Sequence, residues 1–195
     1  MNATDRVKLI QHVLGVDADG IAGPKTQTAW QHLVSQAAAE QRPALIAQDV
    51  PPFPTTIVPW LKIALAELGT TEIPGPQDNP RIVEYHSATT LKATDDETPW
   101  CAAFVNWCLE KAGYKGTGSA AAVTFKEWAA KAHNLSPGAV VVFKRPGGHH
   151  VGFLYACEGD DLFILGGNQG NRVSIARFPA SAALAFRWPT ERSDA

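Results

Sequence analysis

Two hydrophobic periods divide the chain, helical spacing through its first two thirds and strand-like runs after it. Val7, Ile10, Val13 and Leu14 recur at helical spacing behind a cap at Thr4 or Asp5, and the pattern stops at Gly15. A second short helix is expected through Trp30, Leu33 and Val34. Trp60 to Leu68 reads as a helix ended by Gly69, and Asn79-Pro80 opens another over NPRIVEYH. Thr98 as N-cap and Pro99 at the first helical position predict a helix through Glu110, whose Phe104, Val105, Cys108 and Leu109 face inward. Ser119 to Ala130 is also expected to be helical, with Val123, Phe125 and Trp128 partly buried. The period then changes. Ala139–Phe143, His150–Cys157, Leu162–Leu165, Arg172–Ala176 and Leu184–Trp188 are β-rich runs separated by glycine, proline and asparagine turns. Helices followed by a series of antiparallel strands predict an α+β domain.

Pro43, Pro51, Pro52 and Pro54 fall within Gln41–Thr56 and make that stretch a stiff linker. The expected organisation is a small helical unit over 1–40, a linker over 41–56 and a larger domain over 57–195. The formal net charge of −2 gives no reason to expect nucleic acid or an anionic membrane as partner. No apolar run approaches a membrane span, and MNATDRVKLIQHVLG lacks the basic and apolar regions of a secretory signal. The expectation is synthesis in the cytoplasm without a signal peptide, with any work outside it done after release or injection. Six tryptophans are many for 195 residues, and some are expected to line a binding surface.

The three cysteines are expected to be free thiols, since Cys101 and Cys108 would lie about 10 Å apart along one helix and Cys157 stands alone in a strand. Cys101 is the one placed for chemistry. In the first turn of a helix its sulfur meets unpaired N–H groups and the positive end of the dipole, which favours the nucleophilic thiolate. The competing reading makes it a small buried hydrophobe.

GGHHVGFLYAC supplies a base. Alternation puts His150, Gly152 and Leu154 on one face of a strand and the apolar Val151, Phe153 and Tyr155, with His149, on the other. A histidine beside Cys101 would take its proton and return it to a leaving amine. Asn168 of GGNQGNR is the expected orienter of the ring, although Gly-Asn is also a turn former. Tyr85, Trp100, His149 and Gln169 are the candidates to contact substrate. No HExxH or CxxC occurs, and His86 and His133 stand isolated, so neither a metal nor another cofactor is expected. The loop at Asp17, Asp19 and Gly20 fails as a calcium site, with Ile21, Ala22 and Thr28 at positions that need other residues.

Two resemblances go further. LG…VDADGIAGPKTQTAW is similar to the peptidoglycan-binding module of cell-wall hydrolases, an all-α bundle. That implies wall-binding roles for Asp19, Gly20, Gly23 and Thr26. PWCAAFVNWCLEKAGYKGTGSA, PGAVVVF, GHHVGFLY and LGGNQGNRVSI, in that order, resemble the CHAP/NlpC-type cysteine peptidases and amidases. The resemblance covers about residues 60–190. It implies a papain-like fold, with Cys101 as nucleophile, His150 as base and Asn168 as orienter. It also implies cleavage of an amide in bacterial peptidoglycan, as an N-acetylmuramoyl-L-alanine amidase or a stem or cross-link endopeptidase of the phage endolysin type. The doubled His149-His150 departs from the family pattern, as does Ala139 where an acid often stands. Other readings are an interbacterial toxin effector with an immunity protein, a transglutaminase-like acyltransferase and a wall binder with a dead site.

Overall fold

From residue 57 onward, proline sets where the first two helices begin. In α1, Pro59–Ala66, Pro59 stands at the first position behind Val58, and Trp60, Leu61, Ala64 and Leu65 are buried. In α2, Pro80–His86, the Asn79 side chain accepts from the Arg81 N–H at 2.9 Å, the cap expected from Asn79-Pro80. The computed structural model describes residues 57–132 and 135–190, with Gln11, Gly23, Thr26, Gln27, Ala29 and Pro51 as isolated positions nearer the N-terminus.

The third helix, α3, Cys101–Lys111, starts later than its proline suggests. Thr98 does not cap it. The Thr98 N–H is held by Asp95 Oδ1 at 2.6 Å, and Glu72 pins the Trp100 indole at 2.8 Å. The chain therefore enters the helix only after Trp100, whose carbonyl accepts the first helical bond from the Phe104 N–H. Cys101 becomes the first helical residue. Every position from Cys101 to Leu109 is buried, so α3 is a core helix and not a surface helix with one inward stripe.

The segment expected to be helical over Ser119–Ala130 forms only a short 3-10 turn, Ala122–Glu127. Trp128 is extended and Ala129 takes a left-handed φ of 50°, which turns the chain into a strand instead. Phe125 is buried as expected, whereas Val123 is exposed.

Six strands follow: β1 Ala130–Lys131, β2 Val140–Arg145, β3 Gly148–Glu158, β4 Asp161–Gly166, β5 Ser174–Pro179 and β6 Ala183–Trp188. They form one antiparallel sheet in the order β1-β6-β2-β3-β4-β5. Helices packed on an antiparallel sheet make the domain α+β, as the change of period predicts. One face, with Val140, Val142, Val151, Phe153 and Leu165, packs with the three helices into the main core. The other carries a smaller cluster of Val141, Phe143, Leu154, Leu162 and Ile164, partly covered by Phe178 and Phe186.

Two side-chain networks fix the helices. Glu67, nearly buried, accepts from Arg81 Nε at 2.8 Å, Arg81 Nη2 at 2.6 Å and the Tyr85 hydroxyl at 2.6 Å, which ties α1 to α2. Asn106, buried in α3, accepts from the Gly118 N–H and donates to the Ser119 carbonyl, which holds the following loop against the helix.

Candidate active site

The site forms where β4 runs out. Val151 pairs with Val142 on β2, but the pairing of β3 with β4 begins only at Phe153, opposite Leu165. The backbone N–H of Val151 favours the thiolate of Cys101, as do those of Ala102 and of Cys101 itself. The helix start thus delivers the thiol to the strand residue next to His150.

Those donors do not decide the ionisation of Cys101. It is only 4% exposed, and burial pushes its thiol above the ordinary cysteine value against the N–H groups and the nearby Arg145. This corrects the expectation of a readily ionised thiol, because desolvation outweighs the helix terminus.

His150 shares its face with Phe143 and Gly152, the face away from the helices, as strand alternation predicts. Its ring is 1% exposed and stacks on Phe178, with centroids 5.5 Å apart and planes 11° from parallel. Phe178 itself stacks on Phe143 at 4.6 Å. Burial is the largest influence on the imidazole and pushes its pKa down to about 4, assisted by Arg145 and opposed by the hydrogen bond to Gln169. At neutral pH both thiol and imidazole are uncharged.

Gln169 sets the tautomer. Its Oε1 lies 2.9 Å from His150 Nε2, while its Nε2 donates to the Ser174 carbonyl at 2.6 Å, the Ile164 carbonyl at 3.2 Å and Ser174 Oγ at 3.2 Å. Two carbonyls fix the amide NH2 end, so the oxygen must face the ring and the ring must donate from Nε2. Nδ1 is left as the lone-pair nitrogen, buried and without a hydrogen-bond partner.

Asn168, expected as the orienter, makes neither contact with the ring. It occupies a left-handed turn conformation at φ 53°, followed by Gly170 at 64° and Asn171 at 62°. Its turn-forming character prevailed, and the next residue carries the amide to His150. Ser174 and Phe178 went unrecognised, since a serine and a phenylalanine in a strand give no signal of their own.

The substrate-contact candidates divide. Gln169 is bound to His150, and His149 lies partly exposed on the opposite strand face. Tyr85 and Trp100 are 0% exposed, so neither offers a surface to substrate. The Tyr85 hydroxyl is bound to Glu67 and the Trp100 indole to Glu72, and both rings pack within the α2–α3 core. Glycines let the β4–β5 loop into this packing. A Cβ on Gly167 would lie 2.5 Å from Trp100 and 2.7 Å from Phe104, and one on Gly166 would lie 3.3 Å from His150 Nε2. Three thiols, Cys101, Cys108 and Cys157, are free, the last of them exposed.

Of the wall-binding candidates, Asp19 and Gly20 lie outside the described residues. Thr26 is buried, with its hydroxyl accepting from Gln11 Nε2 at 2.9 Å, and the Gly23 carbonyl accepts from the Gln27 N–H. Among the described residues no helix is long and apolar enough to cross a membrane.

Residues 93–168 match the CHAP domain family, a span that begins in the approach to α3 and includes Cys101 and His150. No curated protein and no solved structure matches the chain.

Proposed function

From the CHAP domain that this chain carries, we propose that it hydrolyses an amide bond of bacterial peptidoglycan with Cys101 as nucleophile and His150 as base. A CHAP domain implies amidase or endopeptidase action on the wall. The observation that carries the assignment of residues is the junction at Val151. Its N–H favours the Cys101 thiolate, and the preceding residue is a histidine whose tautomer is set by Gln169. Gln169, not Asn168, is the orienter in this reading. A nucleophile at a helix start, a base on a sheet strand and an amide behind the base support a papain-like arrangement.

Because both groups rest uncharged, thiol deprotonation accompanies attack. The S–H proton passes to His150 Nδ1 as sulfur bonds to the substrate carbonyl carbon. In this reading the oxyanion donors are backbone N–H groups at the start of α3, that of Cys101 among them. The C–N bond then breaks, the amine leaves with the proton from Nδ1, and water attacks the thioester through the same base to release the acid and restore the thiol.

In the same reading residues 1–40 are a wall-binding unit joined by the linker over 41–56, in a protein of the phage endolysin type that reaches the wall after release. The test is mass spectrometry of fragments from purified sacculi treated with wild type and Cys101→Ala. The variant is expected to bind sacculi and release nothing, a loss of at least about 10³-fold. Equal release by the variant would discard the mechanism.

A further inference from the structure

Arg145 is a cation to which the proposed reaction gives no task. It closes β2, where the turn Pro146-Gly147 leads straight into β3, and it stands opposite Gly148 in the hairpin. Phe143, two residues earlier, stands opposite His150. Strand alternation therefore puts Arg145 on the same sheet face as Phe143 and His150, at the next pair along the hairpin. The position across from it is open. A Cβ added to Gly148 would meet nothing within 4 Å, and the same holds for Gly147.

Among the described residues no acid neutralises this arginine. It is exposed, and none of their ion pairs includes it. β2 is flanked by β6, by residues 148–150 of β3 and by the 3-10 turn Ala180–Ala182, and none of these carries an aspartate or glutamate. The charge of Arg145 nonetheless reaches the site, where it favours the Cys101 thiolate and opposes protonation of His150.

We propose that Arg145 binds a free carboxylate on the substrate residue that supplies the leaving amine, and so selects which wall amide is cut. The proposal rests on the hydrolase reading above. In that reading His150 hands its proton to the amine, so the amine half of the substrate lies on the His150 side of the scissile bond. Arg145 occupies that side, next to open space. The anions of a peptide are carboxylates, and a guanidinium meets a carboxylate with two parallel N–H donors. The favoured bond therefore leads to a residue whose own carboxyl is free, and amidation of that carboxyl makes a poor substrate.

The test uses two synthetic wall peptides, identical except that this carboxyl is free in one and a carboxamide in the other. Cleavage by the full chain, followed by mass spectrometry, is expected to favour the free acid about tenfold in kcat/KM, mainly through KM. Arg145→Gln, a change at an exposed position whose folding an unchanged Tm verifies, is expected to abolish that preference. Lys144→Gln removes the neighbouring charge on the opposite strand face and is expected to keep it. Calorimetry on Cys101→Ala needs no cleavage and should show the same ratio of about tenfold in Kd. Equal handling of the two peptides by the wild type would overturn the arginine site and leave the hydrolase reading standing. An undiminished preference in Arg145→Gln, or its equal loss in Lys144→Gln, would do the same. Selective binding by Cys101→Ala with no cleavage by the wild type would keep the arginine site and discard the hydrolase reading. Neither binding nor cleavage of either peptide would discard both.

Discussion

The imidazole of His150 is constrained on every side but one. Phe178 covers a ring face, Gln169 holds Nε2, and Nδ1 alone is left for proton transfer. Gln169→Ala removes the acceptor that selects this tautomer and is expected to lower kcat/KM about 10²-fold in wall hydrolysis. Asn168→Gly keeps the left-handed turn and is expected to change it less than about threefold. Steady-state kinetics on solubilised wall fragments checks both, and the opposite ranking would restore Asn168 as the orienter. The sequence pointed to the two residues proposed to react because their signals are local, a helix start for Cys101 and strand alternation for His150. It left Asn168 and Gln169 hard to separate, since adjacent amides in a glycine-rich turn differ only in which backbone conformation each accepts, and that is settled by packing.

At the scale of elements, the strands were legible and one helix was not. Alternation and turn residues located all five longer strands within a few residues. Ser119–Ala130 misled because its helical spacing is real but Ala129 is forced to a positive φ, a tertiary demand that spacing does not reveal. The start of α3 was displaced for a related reason, since Asp95 and Glu72 reach in from outside the helix. The seam between α3 and the β4–β5 loop depends on Gly167, where an added Cβ meets two aromatic side chains. Gly167→Ala is expected to cost about 1–3 kcal/mol by overpacking. Urea unfolding followed by tryptophan fluorescence measures it, and an unchanged midpoint would mean that the loop yields without strain.

Across the whole molecule, the closed site links folding to pH. His150 is held neutral with its pKa down to about 4, against about 6.5 in an unfolded chain. Between those values the unfolded chain binds the proton and the folded one does not. Stability therefore falls as pH drops from about 6.5 toward 4, and this contribution imposes no penalty above that window. The loss from His150 is at most about 3 kcal/mol. Removing the titrating group in His150→Gln is expected to flatten the stability profile between pH 7 and pH 4 by up to that amount. Urea melts at each pH would show it, and parallel profiles would place the acid sensitivity elsewhere. The confinement of His150 also governs the order of events in the proposed reaction. With a single nitrogen as inlet and outlet, the proton gathered from sulfur must be surrendered to the departing amine before another can be drawn from water. The first product therefore leaves before the second reactant engages, and the enzyme should show ping-pong kinetics.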